Sequence, residues 1–64
     1  MFILRIREEE SGDLETENYD VRYQANVAFK EKILAYSNHS GRYEISLNRK
    51  TGEEVLSTKV GLGW

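Results

Sequence analysis

Three glycine-bearing breaks, at Ser11-Gly12, at Asn38-His39-Ser40-Gly41 and at Lys50-Thr51-Gly52, cut this chain into short segments. Glycine accepts positive φ without a Cβ clash, and Asn, Asp and Ser hydrogen-bond their own backbone, so each cluster can turn the chain. Short segments cannot bury an apolar face alone and must stack in layers against one another. At 64 residues the sequence reads as one small domain, residues 1–64, without a linker or an internal repeat. Lacking cysteine, it has no disulfide and no thiolate zinc site to reinforce the core, and the single His39 cannot build a histidine cage. Either the core is efficient or a partner chain completes it.

Hydrophobic periodicity assigns the segments. Phe2, Leu4 and Ile6 alternate with Ile3, Arg5 and Arg7, the period-two pattern of a strand with one buried face. Tyr19, Val21, Tyr23, Ala25, Val27 and Phe29 also fall on every second position, which predicts a strand over 17–24. From Asn26 onward good helix formers accumulate, and Phe29, Ile33 and Tyr36 share a helical face. Asn26 is an acceptable N-cap and Asn38 or Gly41 can close the far end, so a helix is expected over 26–37. Tyr43, Ile45 and Leu47 alternate with polar residues, and after the Asn48–Gly52 turn so do Leu56, Thr58, Val60, Leu62 and Trp64. A type I turn followed by Gly52 in the left-handed region would join these strands as a hairpin. The text from Tyr43 to Ser57 resembles the hairpin of PepSY-type domains, in which an N-x-x-T-G-E-like turn recurs; it spans about a quarter of the chain and implies no function.

The resulting expectation is an α+β fold, ordered β-β-α-β-β, with one helix packed on a four-stranded, mainly antiparallel sheet. If residues 19–37 were instead two strands, an all-β meander or a small five-stranded barrel would follow.

Charge is distributed unevenly. Residues 1–20 carry −5 and residues 21–64 carry +3, for a net charge of −2. Such a split can steer association but says nothing about fold. The carboxylates of Glu8, Glu9, Glu10 and Asp13 do not match a calcium loop, because Gly12 comes too early. On a hairpin they could instead imitate the charge row of a nucleic-acid backbone and occupy a basic groove on a partner.

The chemistry on offer is limited. No Gly-x-Ser-x-Gly setting exists, His39 has no companion for a triad and reads as a solvated loop residue, and Gly61-Leu62-Gly63-Trp64 has no following helix to cradle a phosphate. We therefore expect no enzymatic activity and no cofactor. Leu62 and Trp64 continue the apolar face of the last strand, while Gly61 and Gly63 leave its other face bare for close approach. The expected role is that of a non-catalytic interaction protein, an adaptor, regulator or inhibitor of a larger protein. Its expected partner-binding residues are Gly61, Leu62, Gly63 and Trp64 together with Glu8, Glu9, Glu10 and Asp13, and a homo-oligomer is one form the contact could take. The alternative is a single-stranded nucleic-acid binder using Arg22, Lys32, Arg42, Arg49 and Lys50 with tyrosines, a reading weakened by a sequence pI near 5.3. The first apolar run, Met1 to Leu4, is broken by Arg5, so no membrane partner is expected and a cytoplasmic location is the default.

Overall fold

The computed structural model describes residues 1–64, except for the side chain of Asp13. Its elements are β1 (Phe2–Glu8), β2 (Gly12–Tyr19), α1 (Arg22–Tyr36), β3 (Tyr43–Arg49) and β4 (Glu54–Val60). The strands form one open sheet in the order β2-β1-β3-β4, every neighbouring pair antiparallel. The α+β expectation holds, and neither the meander nor the closed barrel is adopted.

Pairing sets Leu4 opposite Leu47 and Ile6 opposite Ile45, and these four are the largest fully buried side chains. Phe2, Tyr43 and Val60 extend the same face, and α1 covers it with Ala25, Ala28 and Phe29, flanked by Ile33 and Tyr36. The 25, 28, 29, 33, 36 spacing is helical, and the two alanines let the helix sit close to the sheet. The opposite face is uncovered. Across its middle run Thr16, Arg5, Ser46 and Ser57 in one row, and Arg7, Glu44 and Lys59 lie in the next.

Four boundaries differ from the sequence reading. The strand expected over 17–24 is β2 at Gly12–Tyr19, and the helix expected over 26–37 begins at Arg22. The alternation from Tyr19 to Phe29 lost to the helical period because Ala25, Ala28 and Phe29 then share the core face. Asn26 is not the N-cap. It lies within the helix with its Oδ1 buried and unpartnered, while the cap position falls to Val21, whose side chain makes no capping bond. At the other end Ser37 follows Tyr36, its N–H donating to the Ile33 carbonyl at 3.0 Å. Finally, β4 stops at Val60, and Leu62 and Trp64 do not continue it. As expected, Gly52 has positive φ in the β3–β4 turn.

Both edge strands are irregular. The register of β2 against β1 shifts at Leu14, and that of β4 against β3 shifts at Val55. Pairing also puts Glu15 and Glu17 of β2 on the helix-covered face, opposite Ile6 and Leu4. Bulges and inward-pointing charges both discourage uncontrolled pairing of a sheet edge.

Candidate functional site

Strand order decides what meets at each end of the sheet. Glu8 at the end of β1 pairs with Tyr43 at the start of β3, which pairs with Val60 at the end of β4. The β1–β2 turn, the loop after α1 and residues 61–64 therefore converge. Backbone bonds tie them: Glu9 N–H donates to the Arg42 carbonyl at 2.9 Å, Leu62 N–H to that of His39 at 2.9 Å, and Gly63 N–H to that of Gly41 at 2.8 Å. Between them lies a cleft of about 450 Å³ lined by Glu8, Glu10, Ser40, Gly41, Arg42 and Gly63.

Two stretches named from sequence, Glu8–Glu10 and Gly61–Trp64, are thus brought together by the 39–42 loop. Asp13 belongs to β2, and its side chain lies outside the described residues. The glycines serve a purpose other than the one expected. A Cβ on Gly61, where φ is +106°, would stand 2.5 Å from the Gly41 carbonyl oxygen, and one on Gly63 would stand 2.7 Å from it. The face read as bare for another molecule is occupied by this chain's own loop.

That anchoring presents the two large side chains of the tail. Leu62 is 68% exposed and Trp64 49% exposed. The indole Nε1 donates to the Val60 carbonyl at 2.9 Å, and Lys59 Nζ and the Arg42 guanidinium carbon lie 4.7 and 5.6 Å from its ring centroid. Cations at these distances are attracted by the ring face and help hold it in place. Sequence reasoning missed Lys59; its pairing with Glu44, one step from the Tyr43–Val60 pair, was the register information needed to find it.

Beneath the cleft, Tyr36, His39 and Tyr43 form an aromatic group with centroid separations of 4.8 to 5.9 Å. His39 is solvated as expected, but it stacks edge-on to Tyr36. Burial, and then the Glu8 carboxylate, push the Tyr43 phenol above its usual range, and its hydroxyl donates to the Ser40 carbonyl at 3.3 Å. The Glu8 carboxylate also accepts from the Ser11 hydroxyl, which orients it at the cleft rim. The ensemble offers two apolar side chains on a pinned turn near a cleft that carries the Glu8 and Glu10 carboxylates. Among the described residues, no three His, Cys, Asp or Glu side chains gather where one cation could bind them.

A second region lies between α1 and β2. Tyr23 is 75% and Leu34 73% exposed, with Val27 also solvated, so α1 carries exposed apolar residues along its outer side, interrupted by Lys30 between Val27 and Leu34. The 23, 27, 34 spacing was the available signal, hidden because the helix was expected to start at Asn26, which left Tyr23 in the strand expected over 17–24. Lys32 Nζ donates to Glu15 Oε1 at 2.9 Å and stands 3.9 Å from Glu17 Oε2.

The residues of the nucleic-acid alternative are divided: Arg22, Arg49 and Lys50 gather at the Met1–Phe2 end with Tyr23 exposed next to Arg22 in sequence, while Arg42 and Lys32 lie elsewhere. The guanidinium carbons of Arg22 and Arg49 lie 6.0 and 5.6 Å from the Phe2 ring centroid, at the far end of β1 from Arg42, roughly 20 Å away for a seven-residue strand. Lys32 is engaged by Glu15, Tyr43 is buried, and Tyr19 and Tyr36 are half-buried. No helix is long and apolar enough to cross a membrane. Comparisons with protein-family models, with curated proteins and with solved structures find no match for this chain.

Proposed function

We propose that this protein is a non-catalytic interaction module, an adaptor, regulator or inhibitor that occupies the surface of a larger protein. One observation carries the reading: Leu62 and Trp64 are presented to solvent on a turn that the chain's own backbone holds in place, near the cleft that carries the carboxylates of Glu8 and Glu10. Binding loses affinity to the ordering of loops and side chains, and an anchor already ordered avoids much of that loss. Tryptophan is enriched among the residues that dominate interface energetics. The surroundings carry both signs, Glu8 and Glu10 in the cleft and Arg42 and Lys59 at the indole, and fit a partner with an apolar pocket and a rim of mixed charge.

The test is photo-crosslinking in cells of the protein's own source, with a benzophenone side chain at position 62 and, as control, at exposed Thr51 on the opposite end of the sheet. A discrete protein adduct is expected from position 62, reduced at least about tenfold by Trp64→Ala and absent from position 51. Adducts of equal yield from both positions, or none from 62, would refute the reading.

A further inference from the structure

The groove between α1 and β2 is separate from the Leu62–Trp64 end and has its own chemistry. It is shallow and open to solvent, with a volume of about 440 Å³, and is lined by Tyr19, Tyr23, Gln24, Val27, Ala28 and Glu31. Two phenol rings and an aliphatic floor meet one carboxylate there, and none of the lining residues is cationic. Just beyond the lining, the Tyr19 hydroxyl donates to Glu17 Oε1 at 2.8 Å, and Glu17 and Glu31 both act to keep that phenol protonated. Of the helix cations, Lys32 is engaged by Glu15 and Glu17, Arg22 stands against Phe2, and Lys30, exposed and one residue before Glu31, lies outside the lining. Alongside runs β2, an edge strand without a partner on its outer side, whose sequence includes Asp13, Glu15 and Glu17.

We propose that this groove binds a basic peptide segment of a partner protein, seating one Lys or Arg side chain against Tyr19 and Tyr23 with Glu31 as its countercharge and apolar neighbours of that residue on Val27. Aromatic faces attract cations, and the exposed Glu31 carboxylate adds a direct attraction that salt weakens. Charge also argues against a second copy of this chain as the occupant. In antiparallel pairing of two β2 edges about Thr16, Glu15 of each copy would face Glu17 of the other, and like charges across a strand pair destabilise it. A basic strand or extended segment meets the same edge with complementary charge.

The probe is a synthetic capped peptide of alternating Val and Lys, titrated into isotope-labelled protein by NMR, with an alternating Val and Glu peptide as the reverse-charge control. The basic peptide should shift the amides of Gln24, Val27, Ala28 and Glu31. Its affinity should fall about fivefold or more in Glu31→Gln and in Tyr23→Ala, both exposed substitutions, and stay unchanged in Glu44→Gln on the opposite sheet face. Three results would overturn the proposal. These are amide shifts at Glu8–Glu10 with none in the groove, equal weakening by Glu31→Gln and Glu44→Gln, and self-association in sedimentation that Tyr23→Ala abolishes, which would assign the groove to a second copy.

Discussion

Gly61 illustrates how much one residue decides in a domain this small. Its backbone has φ of +106°, and a Cβ would stand 2.5 Å from a backbone oxygen that cannot swing aside. Gly52 also has positive φ, +100°, but faces open space. Alanine at the two sites separates backbone strain from steric exclusion. Gly52→Ala is expected to lose about 1 kcal/mol, the penalty of an L-residue in the left-handed region. Gly61→Ala should lose clearly more and, by displacing residues 61–64, should red-shift and weaken Trp64 fluorescence as the indole leaves Lys59 and Val60. Urea unfolding of the two variants with matched fluorescence measures both effects. Equal losses with unchanged emission would mean that the tail does not depend on close approach to Gly41.

At the scale of elements, β2 is held to the helix by Lys32. Its hydrogen bond to Glu15 lowers that carboxyl below its usual 4.5, with Glu17 helping, and the same bond raises Lys32 above its usual 10.5. The two shifts act at opposite ends of the pH scale. A depressed carboxyl contributes stability above its unfolded pKa and loses it as pH falls through the folded value; a raised ammonium contributes below its unfolded pKa and loses it as pH rises through the folded value. Stability from this tie is therefore flat across neutral pH and fades below about pH 4.5 and above about pH 10.5. Lys32→Met should lower mid-range stability by about 1 kcal/mol or less, since the pair is partly solvated, and should reduce the acid-side slope of unfolding free energy against pH. A slope identical to that of the unchanged protein would show that Glu15 draws nothing from Lys32. The same strand was the least legible in the sequence. β1, β3 and β4 announce themselves by alternating apolar and polar residues, whereas β2 presents Glu15 and Glu17 on its inward side, which reads as a solvated acidic loop. The helix start was obscured because Val21 offers no capping side chain while Asn26, a good cap by type, lies inside the helix. Of the candidate site, Leu62 and Trp64 were recognisable from residue type alone. Their meeting with Glu8–Glu10 was not, because it follows from β1 lying beside β3, a pairing between segments about 40 residues apart that no local pattern encodes.

The whole molecule is a sheet with one helix layer, and its radius of gyration of 11.2 Å is slightly above the roughly 10.7 Å of an average globule of this length. A single covered face means a single core, centred on the Leu4–Leu47 and Ile6–Ile45 pairs. For 64 residues a total stability of about 3–10 kcal/mol is ordinary, so the core has little in reserve. Leu47 and Leu56 form a comparison within one rung of the sheet: they are register partners, but Leu47 is fully buried on central β3 and Leu56 is 38% exposed on edge strand β4. Truncating Leu47 to alanine removes packing and leaves a cavity, at about 2–5 kcal/mol, a large share of that total. The same substitution at Leu56 should lose about 1 kcal/mol, because water already reaches the side chain. Urea titration followed by circular dichroism, repeated at two protein concentrations, tests the pair. If the monomer is self-sufficient, the two variants differ as stated and neither midpoint moves with concentration. If Leu56→Ala costs as much as Leu47→Ala and the unchanged protein gains stability on concentration, then a second copy buries β4 and completes the core, since only association makes unfolding depend on protomer concentration.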